Sequence, residues 1–179
     1  MISLVGLPGS GKSTVGRQLA RRLKVPFFDS DHVIEDRLGY SIREAFERDG
    51  EACFRYLDEA VLDELSQHPD AVISTGGGAV LRPETRNRLH ARGQVVYLNS
   101  APDELFRRLR HDVNRPLLQV ADPLTRLRDL YAIRDPLYRA TAHFMVETGR
   151  PSVARLVNMI VTQLELAAPA STTSSAASN

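Results

Sequence analysis

Ile2-Ser3-Leu4-Val5-Gly6-Leu7-Pro8-Gly9-Ser10-Gly11-Lys12-Ser13-Thr14 joins a short apolar run to a glycine-rich loop. From Gly6 to Ser13 the chain meets G-x-x-x-x-G-K-[ST] at every fixed position. Each residue type there has a physical reason. Glycines let backbone N–H groups turn inward toward phosphate oxygens. A helix that follows presents the positive end of its dipole. Lys12 reaches the β- and γ-phosphates, and the Ser13 hydroxyl is a Mg²⁺ ligand. Gly9, Ser10, Gly11, Lys12, Ser13 and Thr14 are therefore the expected nucleotide contacts, with ATP and Mg²⁺ as the expected cofactors. A glycine-rich turn arising by chance is the bland alternative. The strand before the loop and the amphipathic segment after it argue against chance. The motif alone leaves a kinase, a GTPase and a mechanical ATPase open.

Outward from the loop, apolar runs alternate with amphipathic segments. Residues 13–23 place Val15, Leu19 and Leu23 on one helical face and Arg17, Arg21 and Arg22 elsewhere. Strands are expected at 2–5, 25–28, 71–74, 95–98 and 144–146. Ser41 with Glu44 makes a capping box, opening helical structure to about residue 65 that Gly50 breaks in two. Pro83, Pro102, Pro123 and Pro151 each mark a helix start, with ends near 111, 138 and 166 for the last three. Strands separated by helices imply right-handed crossovers. The fold class is α/β, a parallel sheet with helices on both faces. Residues 110–122 carry few helix signals and read as a mobile loop, and 167–179, rich in Ala, Ser and Thr, as a disordered tail. The folded unit is then a single domain over 1–166.

The bulk numbers agree with one soluble domain. The chain has 179 residues and a formal net charge of +1, so no basic excess points to nucleic acid or a membrane surface. Cys53 is the only cysteine, which excludes a disulfide within the chain and fits a reducing compartment. Beside Phe54 it reads as a small buried residue rather than a reactive thiol. No apolar run approaches the roughly 20 residues needed to span a bilayer, and no signal peptide is recognisable. A cytoplasmic monomer is expected.

Carboxylates, glycines and arginines carry the remaining chemistry. Phe28-Asp29-Ser30-Asp31 ends a strand in two acids, at the sheet edge where ligands bind in open α/β folds. One could hold Mg²⁺ through water and the other accept a proton from an attacking hydroxyl. The alternative is a helix cap, with Asp31 capping residues 32–38. Gly76-Gly77-Gly78 follows the third strand, where either another molecule approaches the backbone or the chain simply turns. Arg55, Arg115 and Arg134 are each, taken alone, more often solvated surface residues.

Together the ordered motifs resemble shikimate kinase over residues 2–165. They are the phosphate loop, Phe28-Asp29-Ser30-Asp31, Gly50-Glu51 with Phe54-Arg55, Thr75-Gly76-Gly77-Gly78, Arg115-Pro116-Leu117-Leu118 and Arg134-Asp135-Pro136-Leu137-Tyr138. The resemblance implies a three-layer P-loop kinase with a five-stranded parallel sheet in order 2-3-1-4-5, a substrate-binding region about 31–60 and a lid about 110–122. It implies transfer of the ATP γ-phosphate to the 3-hydroxyl of shikimate, in aromatic amino-acid biosynthesis. By the same likeness Asp31 holds the shikimate hydroxyls and acts as base, and Asp29 supports Mg²⁺ through water. Arg55 and Arg134 grip the carboxylate, and Gly77 and Gly78 offer N–H groups beside Gly76. Arg115 closes onto the transferring phosphate, and Arg108 and Arg150 lie by the adenine. The chain departs from the family in two places, carrying Asp58 where a Glu that would orient Arg55 is usual, and a shorter loop by the adenine at Thr148-Gly149-Arg150-Pro151. Two alternatives remain open at this stage, another small-molecule kinase of the same fold, such as a gluconate kinase, and a non-catalytic module that senses shikimate.

Overall fold

Gln94–Asn99 forms strand β4, and its alternation divides the core. Val96 and Leu98 face one way and Val95 and Tyr97 the other, as a period of two requires. All four are buried, so the strand is covered on both sides. The computed structural model describes residues 1–109 and 120–168. Within them β1 (Ile2–Val5), β2 (Phe27–Asp29), β3 (Val72–Ser74), β4 and β5 (Phe144–Glu147) make one parallel sheet in the order β2-β3-β1-β4-β5. That is the expected order. In the middle, Ile2 lies beside Val72 on one side and Gln94 on the other.

One face packs on α1 (Lys12–Leu23) and α7 (Val153–Ala167), through Val15, Leu19, Leu156 and Ile160 against Leu4, Val96 and Leu98. The opposite face has two clusters. α4 (Pro83–Arg92), α5 (Pro102–Leu109) and α6 (Pro123–Thr141) cover Val5, Val95 and Tyr97. α2 (Ser30–Leu38) and α3 (Ile42–Leu65) cover Ile73 with Ile34, Phe54, Val61 and Leu62. A helix–sheet–helix sandwich of three layers results.

Gly50 kinks α3 at φ 80° and ψ 167°, a conformation open to glycine. Interrupting the helix costs about 1 kcal/mol, whereas burying Phe54, Val61 or Leu62 gains roughly 1.5–3 kcal/mol each. Packing therefore holds the two halves in place. Ser41 caps the first half by accepting from Glu44 N at 3.2 Å.

Several boundaries move. Asp29, not Asp31, caps α2, because β2 ends there and its Oδ1 accepts from His32 N. The last helix begins after Ser152, whose hydroxyl accepts from Arg155 N at 3.3 Å, so Pro151 only precedes the cap. α6 continues through Pro136 to Thr141, held by Leu127, Leu130 and Tyr138 in the core. Cys53 is exposed rather than buried, since Phe54 takes the inward position and its neighbour falls about 100° around the helix. Of the expected tail, Ala167 ends α7 and 169–179 lie outside the described residues. Of the expected lid, so do 110–119, while Asp122 caps α6 by accepting from Thr125 N.

Candidate active site

β1 runs into its loop at the centre of the sheet's carboxyl edge, where the connections of a 2-3-1-4-5 sheet part to either side. A cavity of about 440 Å³ opens there. Gly9, Gly11, Lys12, Ser13, Thr14, Asp29, Asp31, Ser74 and Gly77 are among its walls. Gly11 sits at φ 95° immediately before α1, turning the chain so that the first helical N–H groups point into this space. Lys12 is buried, and its Nζ donates to Gly6 O (2.8 Å) and Leu7 O (3.0 Å). The loop thus fixes its own ammonium in position. Ser10 has a more internal place, being buried with its N–H donating to Leu7 O at 3.1 Å.

Ser13 Oγ donates to Asp29 Oδ2 at 2.5 Å and lies 3.3 Å from Ser74 Oγ. These are hard oxygen donors on the phosphate side of the cavity, a set that fits Mg²⁺ sharing its shell with phosphates and water. Among the described residues no group of three His, Cys, Asp or Glu could hold a metal by itself.

Asp31 lies in the first turn of α2, beyond the strand. Burial pushes its carboxyl above the usual range, the neighbouring Asp29 pushes it further, and Lys12 partly offsets both. Ser30 anchors this turn, its Oγ accepting from Gly76 N at 3.1 Å. That bond occupies the Gly76 N–H. The three glycines make room for the protein's own side chains. A Cβ on Gly76 would come within 2.6 Å of Asp31 Oδ1, one on Gly77 within 2.6 Å of Pro8, and one on Gly78 would overlap the Arg55 guanidinium.

Arg55 and Arg134 reach this triplet from opposite helices. Arg134 Nη1 donates to Gly77 O at 3.1 Å, and Tyr138, one turn on, donates to the same oxygen at 2.5 Å. Burial pushes the Tyr138 hydroxyl up to about 12, so it stays a neutral donor. Arg55 lies against the rings of Phe46 and Phe54, and its Nη2 pairs with Glu51 at 2.9 Å. Asp58, the acid expected to orient it, stands 4.0 Å from Nη1, outside hydrogen-bond reach.

At the far side of the loop Arg108 Nη2 donates to Thr148 O, bringing α5 against the turn that contains exposed Arg150. Arg115 lies outside the described residues. The structure therefore gathers Lys12, Ser13, Asp29, Asp31, Arg55, Gly76, Gly77, Gly78 and Arg134 at one edge, with Arg108 and Arg150 at its margin. Sequence reasoning quoted Tyr138, Glu51 and Ser30 within motifs but gave them no role. For Tyr138 the signal was present, since i,i+4 spacing from Arg134 puts both on one face.

Comparison with known proteins agrees. A sequence profile describing shikimate kinase matches residues 8–165. The chain is similar to a shikimate kinase of Paracidovorax citrulli, 61% identical over 169 residues, covering 93% of this chain and 92% of that one. One from Ralstonia nicotianae is 56% identical, covering 93% and 87%. Among solved structures, the shikimate kinase of Acinetobacter baumannii in complex with shikimate superposes with a TM-score of 0.88 at 45% identity, covering 92% of each chain. That of Bacteroides thetaiotaomicron gives 0.86 at 35%, covering 92% and 97%.

Proposed function

The chain belongs to the shikimate kinase family, and from that premise we propose that the carboxyl edge of its sheet transfers the ATP γ-phosphate to the 3-hydroxyl of shikimate, giving 3-phosphoshikimate and ADP. The observation that carries the proposal is the convergence of Lys12, Asp31 and Gly77 on one cavity, with Arg55 and Arg134 against the glycine triplet beside it.

The roles follow from position. The residues 6–13 loop and the start of α1 hold the triphosphate by backbone N–H groups, with Lys12 neutralising charge on the transferring oxygens. Arg55 and Arg134 hold the shikimate carboxylate, each offering a planar fork to a planar anion. The backbone of Gly77 and Gly78 seats the ring. Asp31 accepts the hydroxyl proton as the oxygen attacks phosphorus and the bond to ADP breaks. Its raised proton affinity suits that task. Ser13, with Asp29 through water, would hold Mg²⁺, which supplies charge neutralisation at the phosphates. By family likeness Arg115 contacts the transferring phosphate, and Arg108 and Arg150 bound the adenine side. Among the described residues no helix is long and apolar enough to cross a membrane. A cytoplasmic monomer completes the reading.

A coupled assay of ADP release tests it. Release that depends on shikimate and Mg²⁺ is expected. Folded protein that turns over gluconate in preference to shikimate would make it a different small-molecule kinase, and tight shikimate binding without turnover would make it a sensor.

A further inference from the structure

Asp58 is 3% exposed on the inner face of α3, and its Oδ1 has no hydrogen-bond partner among the described residues. Its Oδ2 is 4.0 Å from Arg55 Nη1. Arg55 is 14% exposed and spends its short contact on Glu51, which is 61% exposed. A carboxylate in this position would be a buried anion with one oxygen unpaired among the described residues and its cation beyond hydrogen-bond distance. Such an arrangement costs several kcal/mol, and protonation removes the cost. The charges around Asp58 give little relief. Asp31 of α2 faces it with the same sign, itself offset by Lys12 of the loop and opposed by Glu35. From α6, Tyr138 feels the Arg55 charge, and Arg134 donates to the Gly77 carbonyl. Arg55 is the one cation acting on it from its own helix.

We propose that Asp58 stands beside Arg55 as a neutral acid, and that seating a carboxylate on the Arg55 fork draws a proton onto Asp58 wherever that residue is ionised. The inference rests on the shikimate reading above. Its chemistry is a proton transfer from buffer or water to Oδ1, with no other bond made or broken. Burial and the nearby Asp31 charge push the Asp58 carboxyl up to about 7, so the site changes state near neutrality. Below that pH the full charge of Arg55 is left for the acceptor. Above it, the Asp58 anion competes for the same cation. A longer acid could bond Arg55 directly and remain charged. The shorter side chain, stopping at 4.0 Å, is what links acceptor binding to pH.

Calorimetric titration of shikimate into the full chain, without nucleotide, tests this in two buffers of different ionisation heat. At pH 8 the expectation is uptake of about half a proton per site, with little at pH 5.5. The shikimate Kd should weaken about five- to tenfold from pH 6 to pH 8.5. Asp58→Asn, a neutral mimic, should keep the pH 6 Kd within about twofold and lose both the uptake and the pH slope. Binding with no uptake at pH 8 overturns the inference alone. So does a folded Asp58→Asn protein that keeps the uptake, or that binds more than tenfold weaker at pH 6. Absence of shikimate binding at either pH overturns the shikimate reading and this inference with it. If the variant does not fold, ¹³C carboxyl spectra of the unaltered protein decide. The Asp58 signal should move toward the acid form on adding shikimate at pH 8, and a signal that stays put overturns the proposal.

Discussion

The two walls of the cavity are built in different ways. On the proposed nucleotide wall, residues 6–14 are contiguous in the chain, and buried Lys12 donates to carbonyls of its own loop. On the acceptor wall, side chains arrive from α2, α3 and α6 onto the turn after β3, and the carboxyls of Asp31 and Asp58 are pushed upward by burial. A loop folded on itself is insensitive to its surroundings. A pocket assembled from three helices depends on every packing contact that brings them together. Specificity for the acceptor is accordingly concentrated where small geometric changes matter most.

Four substitutions can break or sharpen that contrast. Lys12→Ala removes charge stabilisation at the transferring phosphate and should lower kcat by about 10³-fold or more, while shikimate affinity measured by titration stays near its original value. Asp31→Asn should lower kcat by about 10²- to 10⁴-fold with ADP affinity unchanged. Single-turnover kinetics in which phosphoryl transfer survives would remove Asp31 from the base role. Arg134→Ala takes away a charge-assisted contact of about 1.5–3 kcal/mol, so the shikimate KM should rise about 10- to 100-fold and the ATP KM stay level. If both constants rise together, the two walls are not independent. Gly78→Ala is the mildest. Its Cβ displaces the Arg55 fork, and steady-state kinetics should show a severalfold rise in shikimate KM with little change in kcat, since overpacking costs about 1–3 kcal/mol.

The same contrast explains what could be read in advance. The loop was legible because its residues are adjacent and its geometry is local. The sheet order came with the family likeness, and the strands were visible as short apolar runs. Asp29 and Asp31 were legible as a pair but their division of labour was not. A strand continuing to Asp31 would have put both on one side, whereas β2 stops at Asp29 and makes it the cap. The glycine triplet carried two readings, and the structure supplies a third, since Asp31, Pro8 and Arg55 occupy the space the missing side chains leave. Cys53 was misread because burial was inferred from the usual habit of free cysteine rather than from the helical period.

By itself, the sequence determined that a strand, a phosphate-binding loop and a helix begin the chain, and that the motifs after them belong to a shikimate kinase pattern. Those properties depend on residue types at short fixed spacings. Only the tertiary structure decided that Tyr138 joins Arg134 on the Gly77 carbonyl, that Glu51 rather than Asp58 holds the Arg55 fork, and that Asp58 is buried with one oxygen unpaired among the described residues. Desolvation and the reach of a side chain across 4.0 Å depend on which helices pack together. No local run of residues encodes that.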